Sequence, residues 1–305
     1  MEYRKLGKSD LNVSSLVLGT AFRGGLVNEM PRVIERAIDL GINIFDTGGY
    51  VRNDVNTEDV LGSVIKNRRD SVVIAVKQVP PVIKNLEERM KKMRTDYIDI
   101  LQILPCRCIK VCNSGYAGME DTAHYSVSDA MSATLKLVES GKVRYIGASR
   151  YNTAQLIETH KTVGKSIFLT DQLHYNLVVR GVGDEAMDYC KENDITILAY
   201  SPIGAGVFFG DTSTIDMNRI SRYGFDAPGK LEPFKNLLQT LVEIGRGRNK
   251  TTVQVALNWL LSKGNVIPIT GPDLIEHLEE NLSAVGWELE ASELGKIDEA
   301  VNKLS

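Results

Sequence analysis

The sequence lacks the features of a membrane protein, a secreted protein or a nucleic-acid-binding protein. No apolar run approaches the roughly 20 residues that cross a bilayer, and the charged start, Met1 to Lys8, has no signal-peptide core. Lys and Arg form no block, and the net charge of −3 offers nucleic acid or an anionic membrane no electrostatic attraction. These absences predict a cytoplasmic protein without nucleic-acid or membrane partners.

Cysteine is also scarce, with four in 305 residues, and three of them are Cys106, Cys108 and Cys112. This spacing is no disulfide framework in a chain of such length. With His124 the three thiols would make four zinc ligands, but their spacing is not a standard zinc pattern. Plain loop cysteines are the leading interpretation, ahead of redox-sensitive thiols or a metal site, so no metal is predicted.

What the sequence does have is a regular alternation of two patterns. Near-continuous apolar, β-branched runs are separated by segments with apolar residues at helical spacing, which is typical of parallel strands covered on both faces. Eight such repeats predict a (β/α)8 barrel of α/β class, and the absence of GxGxxG after the first run disfavours a doubly wound sheet. The strand runs are 15–19, 42–46, 72–77, 98–104, 144–149, 168–172, 195–200 and 266–269.

Helical segments fill the spaces between these runs. Examples are Met30–Leu40, Val82–Met93, Val127–Val138 and Phe234–Ile244, and Ala291–Leu304 is predicted to be an extra C-terminal helix that covers one side of the barrel. No low-complexity linker interrupts the pattern, which predicts one domain over residues 1–305. Two long connections, from Pro105 to about Ser126 and from Gly204 to about Leu231, follow strands, so both belong to the carboxyl end where barrel active sites lie.

Two charged residues of opposite sign close neighbouring strand runs. Asp46 ends one run and Lys77 ends the next, and Tyr50 follows Asp46 closely. A single charge at a strand end is more often solvated or structurally paired than catalytic. Here an ion-paired lysine can lower the pKa of a nearby tyrosine from about 10 and produce a general acid. The three residues are therefore candidates for a catalytic group.

Seven motifs in register resemble those of the aldo-keto reductase family, from Tyr3 to about Leu304. The resemblance implies a (β/α)8 barrel that binds a nicotinamide cofactor in extended form and reduces carbonyls with an Asp, Tyr, Lys and His tetrad. Asp46, Tyr50 and Lys77 correspond to three of the four. The motifs are Phe45–Tyr50, Thr57–Gly62, Lys77, Gly141–Gly147, Tyr175–Asn176, Ala199–Gly204 and Glu280–Asn281.

The chain departs from the family pattern at two catalytic positions. Tyr50 lies four residues after Asp46 instead of five, and Val51 holds the usual position, so the tyrosine either still reaches the site or points elsewhere. Leu104 stands where the family has its His, which removes a hydrogen-bond donor unless the long loop after it supplies a replacement. That loop carries Cys106, Cys108, Cys112, Tyr116, His124 and Tyr125.

The resemblance also implies a cofactor site. Ser149, Arg150 and Gln172 match the residues around the nicotinamide carboxamide, although Arg150 replaces the usual Asn, and Tyr200 matches the aromatic that stacks on the ring. The loop with Ser201, Ile203 and Gly204 matches the pyrophosphate contact, where glycine lets backbone approach closely. The adenosine end matches Gly271, Asp273, His277, Glu280 and Asn281. His160 and His174 are interpreted as surface or structural histidines.

Asp273 bears on the choice between NAD and NADP. A carboxylate there would repel the 2′-phosphate of NADP and could accept hydrogen bonds from the bare ribose of NAD. His277, if protonated, would favour the phosphate instead. The balance favours NAD, with NADP as the alternative.

The leading functional hypothesis is an NAD(P)-dependent oxidoreductase that moves a hydride between nicotinamide and a carbonyl or alcohol substrate. The alternatives are a redox-neutral isomerase or lyase on the same barrel, and a nucleotide-binding sensor or regulatory subunit without turnover. The expected partner is a small-molecule substrate. The sequence determines neither the identity of this substrate nor the oligomeric state of the protein. Arg23 or Arg150 could bind an acidic group of it.

Overall fold

The computed structural model describes residues 1–80, 85–105, 125–180 and 183–304. The strands of this part of the chain are β1 (Tyr3–Lys5), β2 (Asn12–Ser14), β3 (Val17–Gly19), β4 (Ile44–Thr47), β5 (Val51–Arg52), β6 (Val55–Asn56), β7 (Val73–Gln78), β8 (Ile98–Ile103), β9 (Val143–Ser149), β10 (Phe168–His174), β11 (Thr196–Tyr200) and β12 (Val266–Thr270). The α-helices are α1 (Met30–Asp39), α2 (Thr57–Ile65), α3 (Leu86–Met93), α4 (Val127–Glu139), α5 (Thr153–Val163), α6 (Asp184–Glu192), α7 (Met217–Ser221), α8 (Leu231–Arg248), α9 (Thr252–Leu261), α10 (Ile275–Leu282) and α11 (Ala291–Asn302).

Eight parallel strands close into a barrel in the order β10-β11-β12-β3-β4-β7-β8-β9. Each of the eight predicted strand runs is one of these strands, so the (β/α)8 prediction is confirmed. The extra C-terminal helix is α11, which packs against α8. A helix is expected from Val82. Residues 82–84 lie outside the described residues, and α3 begins at Leu86. The single-domain boundaries stay a prediction.

Two short antiparallel hairpins were not predicted. The β5–β6 hairpin follows the strand that ends near Asp46, and the β1–β2 hairpin precedes the barrel. Leu6, Leu11 and Val13 of this first hairpin pack into the same buried cluster as barrel residues such as Val17 and Ile44. The hairpin therefore closes the amino-terminal opening of the barrel with apolar side chains. Among the described residues, none of the helices combines the length and the apolarity that a bilayer crossing demands.

Strand periodicity explains why polar groups gather at the other opening. Ile44, Ala75 and Ile100 belong to the apolar cluster inside the barrel. Because successive side chains of a strand alternate between its two faces, the residues two positions later also face inward. Those residues are Asp46 on β4, Lys77 on β7 and Gln102 on β8. The same backbone geometry thus buries aliphatic side chains at one end and polar ones at the other.

An irregularity in β10 brings a fourth polar side chain inward. Leu169 lies in the interior apolar cluster, and Gln172, three residues later, also points into the barrel, where it contacts Asp46. Strict alternation would put these two residues on opposite faces, but the pairing of β10 with β9 shifts register between Phe168 and Thr170. This shift is the signature of a bulge, and it turns Asp171 to the outer face of the strand.

Asp171 lies fully buried between the barrel and its helices. Its Oδ1 accepts a hydrogen bond from the backbone N–H of Tyr151 at 3.5 Å, while Oδ2 has no hydrogen-bond partner among the described residues. Burial raises the pKa of Asp171 from 3.8 to about 8. The folded chain therefore holds a proton here that the unfolded chain releases at much lower pH.

We expect Asp171 to make the protein less stable as pH rises from about 4 to about 8, because within this window the folded state binds the extra proton. Asp171→Asn keeps the acceptor for Tyr151 and does not titrate. The free energy of unfolding of the variant minus that of the wild type should increase between pH 5 and pH 8 by on the order of a few kcal/mol. Urea unfolding at both pH values measures it. The exposed Asp188→Asn is the control, and an equal difference at both pH values for Asp171→Asn would contradict the account.

Candidate active site

Asp46 is the centre of a buried polar cluster inside the carboxyl end of the barrel. Its Oδ2 is ion-paired with Nζ of Lys77. Its Oδ1 accepts hydrogen bonds from Nε2 of Gln102 at 3.0 Å and from Nε2 of Gln172 at 2.7 Å. All four residues are at most 5% exposed. A carboxylate at this depth is stable only with such partners, because a buried unpaired charge costs several kcal/mol.

Gln102 is a member of this cluster that the sequence reasoning missed. Its place depends on Gly147 of the neighbouring β9, where an added Cβ would lie 2.3 Å from Oγ1 of Thr170 and 3.1 Å from Cγ of Gln102. Any other residue at this position would crowd both side chains. The available signal was a polar residue at an inward position of an otherwise apolar strand, two residues after Ile100.

Tyr50 lies beside Lys77 although its loop is one residue short of the family pattern. The Lys77 Nζ atom is 5.6 Å from the centroid of the Tyr50 ring, and Tyr50 is 7% exposed. Gly49, with φ of +69°, makes the turn before it, and Val51 begins the β5–β6 hairpin with 42% of its surface exposed. The three predicted catalytic residues, Asp46, Tyr50 and Lys77, are therefore brought together, and Val51 faces away from them.

A second buried ion pair supports the first from outside. Arg89 of α3 contacts Glu58 of α2, with 2.5 Å between NH2 and Oε1, and Glu58 also accepts a hydrogen bond from Oγ1 of Thr47 at 3.2 Å. The NH1 group of Arg89 donates to the carbonyl of Lys77 and to Oε1 of Gln78, both at 2.7 Å. Arg89 thus joins the strand of Lys77 to the segment that leads to Tyr50.

Leu104 is the apolar residue that directly follows β8, two positions after Gln102. It is 3% exposed, and its backbone N–H donates to the carbonyl of Gln78 at 2.9 Å. Within the described part of the chain, no group of three His, Cys, Asp or Glu residues is arranged to hold a metal ion. Of the loop residues that were considered as replacements or ligands, Tyr125 is described and exposed. The others lie outside the described residues: Cys106, Cys108, Cys112, Tyr116 and His124.

The predicted nicotinamide residues occupy the ends of β9, β10 and β11. Oγ of Ser149 and the backbone N–H of Arg150 both donate to the carbonyl of Gln172, at 3.1 and 3.0 Å. The side-chain amide of Gln172 is directed to Asp46 and to Oε1 of Gln102, the latter at 3.1 Å, so it ties this end of the site to the Asp46 cluster. The guanidinium of Arg150 lies 5.1 Å from the centroid of the Tyr200 ring.

His174 is a second residue that the sequence reasoning missed. It ends β10 and stacks on Tyr200, with ring centroids 4.9 Å apart and an interplanar angle of 14°. Burial, followed by the charges of Arg150 and Arg23, lowers the pKa of His174. In contrast, His160 is structural as expected, because its Nδ1 is 2.8 Å from the hydroxyl of Tyr189 between α5 and α6.

The predicted pyrophosphate loop follows β11 directly. Ser201, Gly204 and Gly206 all have positive φ, at +51°, +58° and +91°, and the carbonyl of Ser201 accepts a hydrogen bond from Nδ2 of Asn176 at 2.9 Å. Ile203 is partly buried against the neighbouring core. The two glycines suit these turns, because an added Cβ would lie 2.5 Å from Cγ2 of Val207 at Gly204 and 2.6 Å from NH1 of Arg219 at Gly206.

The predicted adenosine residues lie where β12 leads through Gly271 into α10. Oδ2 of Asp273 accepts a hydrogen bond from the N–H of Gly24 at 3.1 Å, and Oδ1 is buried without a partner among the described residues. Burial raises the pKa of Asp273. His277 is exposed, Glu280 partly buried and Asn281 buried. Asp273 thus bridges two loops at the rim of the barrel.

Comparison with known proteins identifies relatives over nearly the whole chain. The model of the aldo/keto reductase family matches residues 15–302. A chloroplastic pyridoxal reductase of Arabidopsis thaliana is 29% identical over 99% of this chain and 87% of its own length. A thermostable aldo-keto reductase solved with the inhibitor epalrestat has 26% identity and a TM-score of 0.76 over 98% of this chain and all of its own. An aldo/keto reductase from Klebsiella pneumoniae solved with NADP and acetate shares the fold at 22% identity, with a TM-score of 0.73 over 96% of this chain and 93% of its own.

We expect Arg89→Met to lower the free energy of unfolding by about 3–5 kcal/mol, because it leaves the carboxylate of Glu58 buried and unpaired. The double variant Arg89→Met/Glu58→Gln removes that charge and should cost less than the single one. Arg36→Gln, which breaks an exposed pair with Glu279, is the matched control and should cost at most about 1 kcal/mol. Urea unfolding of the four proteins measures this. A double variant that is less stable than Arg89→Met would contradict the expectation.

Proposed function

Because the chain belongs to the aldo/keto reductase family, we propose that it is an oxidoreductase, dependent on NAD or NADP, that moves a hydride between nicotinamide and the carbonyl or alcohol carbon of a small molecule. The observation that carries the proposal is the buried ion pair of Asp46 and Lys77, which lies directly beside Tyr50. Burying two charges costs free energy. A tyrosine beside such a pair has a hydroxyl proton that can be transferred, which is why we assign the pair a role in proton transfer.

In this proposal Tyr50 is the acid in the reduction direction. Its hydroxyl gives a proton to the carbonyl oxygen as negative charge develops there, and the nearby ammonium of Lys77 stabilises the phenolate that remains. Asp46 holds Lys77 in place, and Gln102 and Gln172 hold Asp46. In the oxidation direction the same phenolate accepts the proton from the alcohol.

The residues at the barrel mouth fit a nicotinamide nucleotide. Tyr200 presents an aromatic ring at the end of β11, next to Ser149 and Arg150 of β9. The tight turns at Gly204 and Gly206 follow β11, where we place the pyrophosphate, and the buried Oδ1 of Asp273, without a partner among the described residues, suits a ribose hydroxyl. When bound, the nucleotide supplies or accepts the hydride.

Leu104 points to a slower enzyme than one with a histidine at this place. Loss of one hydrogen-bond donor to a developing oxyanion costs on the order of 100-fold in rate. The isomerase alternative needs Nζ of Lys77 as the base, and this atom is already ion-paired with Oδ2 of Asp46. We therefore retain the oxidoreductase as the function that the geometry supports best.

We expect Tyr50→Phe and Lys77→Met each to lower kcat at least about 100-fold with any carbonyl substrate that the wild type reduces, since each removes a part of the proton donor. Nucleotide affinity should change little, because neither side chain belongs to the proposed cofactor contacts. The measurement is steady-state kinetics together with nucleotide fluorescence titration, and the exposed Lys66→Met is the control. A kcat within a factor of a few of the wild-type value in both variants would remove Tyr50 and Lys77 from the mechanism.

For the choice of nucleotide we propose that NAD is preferred, on the strength of Asp273. A 2′-phosphate carries about −1.5 to −2 charges and would lie close to this carboxylate. Asp273→Asn keeps the contact to the N–H of Gly24 and removes the charge.

NADH should bind at least about tenfold more tightly than NADPH, and Asp273→Asn should shrink this ratio. Fluorescence titrations with both nucleotides, and with the exposed Asp226→Asn as control, measure the two dissociation constants. Tighter binding of NADPH than of NADH by the wild type would overturn the NAD preference and leave the oxidoreductase proposal standing.

A further inference from the structure

Arg150, His174 and Tyr223 gather around Tyr200 at the barrel mouth, and the proposed proton transfer uses none of the three. Arg150 lies over the ring of Tyr200, and His174 stacks on the same residue. The rings of His174 and Tyr223 are 6.2 Å apart. Because β9, β10 and β11 are neighbours in the barrel, their carboxyl ends present these groups together, next to the end of the strand that carries Leu104.

Arg23 adds a second positive charge to this place. It comes from the loop after β3, is exposed, and forms no ion pair with a carboxylate of the described residues. Burial is the main cause of the lowered pKa of His174 and of the raised pKa of Tyr223, and the charge of Arg23 acts on both groups in the direction of a lower pKa. Together with Arg150 it makes this part of the opening strongly attractive to an anion.

His174 ends β10 at the barrel mouth and is partly exposed. Its Nε2 atom is buried and has no hydrogen-bond partner among the described residues. Burial and the two arginines lower its pKa, and a neutral imidazole carries a proton on one of its two ring nitrogens that it can donate. A buried donor or acceptor of this kind costs free energy unless a bound group completes it.

The backbone at Arg150 is strained in a way that aims its side chain. Its φ of +66° lies in the left-handed region, where a long side chain is uncommon. The hydrogen bond from its N–H to the carbonyl of Gln172 holds this conformation. Strain that the surrounding structure maintains is typical of residues with a function in binding.

We propose that Arg23, Arg150 and His174 form an anion-binding site for a carboxylate or phosphate group of the carbonyl substrate. This inference rests on the proposed oxidoreductase function and names its substrate class. The cofactor's own phosphates are expected elsewhere, at the loop from Ser201 to Gly206 and near Asp273. The arginines hold the anionic end by charge-assisted hydrogen bonds, His174 contributes its ring N–H, and the carbonyl end extends toward Tyr50.

The first test measures anion binding without turnover. The chain contains only four histidines, so a spectrum of protein labelled with ¹⁵N-histidine is simple, and His174→Phe identifies the His174 resonances. Inorganic phosphate or acetate should shift the Nε2 resonance of His174 saturably. Arg150→Asn and Arg23→Gln should each weaken this binding about tenfold, and Arg32→Gln, an exposed arginine of α1, should leave it unchanged. A shift without saturation, or one that the two arginine variants do not alter, would overturn the proposal.

The second test compares anionic and neutral carbonyl substrates and distinguishes the two anions. Pyruvate is paired with methyl pyruvate, and glyceraldehyde 3-phosphate with glyceraldehyde. The anionic member of one pair should have the higher kcat/KM by at least about tenfold, and Arg150→Asn should remove most of that advantage through KM. The pair that shows the preference identifies carboxylate or phosphate.

The experiments distinguish a failure of the anion-binding site from a failure of the oxidoreductase function. Turnover of the neutral members at equal or higher kcat/KM would overturn the anion site and leave the oxidoreductase intact. Nucleotide that does not bind at all would overturn the oxidoreductase, while saturable binding of phosphate or acetate at His174 would still be measured by the first test.

Discussion

The ion pair of Asp46 and Lys77 inside the barrel is the interaction on which the other features of the site depend. Two charges in an apolar interior are tolerated only with a full set of partners. Gln102 and Gln172 complete the coordination of Asp46, and Arg89 holds the strand of Lys77 by its carbonyl. The result is a fixed ammonium beside Tyr50, which is the physical basis of the proposed proton donor.

Several local features of the fold place the partners of Asp46 around it. The register shift in β10 turns Gln172 inward after Leu169 has already filled the interior. Gly147 leaves the space that Gln102 and Thr170 share. At the opposite end of the barrel the first hairpin adds Leu6 to the buried apolar cluster.

Much of this arrangement was readable from the sequence, because strand periodicity and short motifs encode it. The eight strands follow from apolar runs, and Asp46, Lys77 and Tyr50 follow from the ends of those runs. The sequence did not reveal the places of Gln102, Arg89 and His174. The directions of these side chains depend on a bulge, on the space that Gly147 leaves, and on contacts between elements far apart in sequence. Tyr50 was uncertain for the same reason, as loop length alone does not fix the direction of a side chain.

The central claim, that the buried pair makes Tyr50 an acid, can be tested directly and without a substrate. Subtraction of the ultraviolet pH titration of Tyr50→Phe from that of the wild type isolates the ionisation of this one tyrosine among eleven. The same subtraction is made with Lys77→Met as the parent protein. The account predicts that Tyr50 loses its proton at lower pH when Lys77 is present. Ionisation at the same or a higher pH in the presence of Lys77 would contradict it.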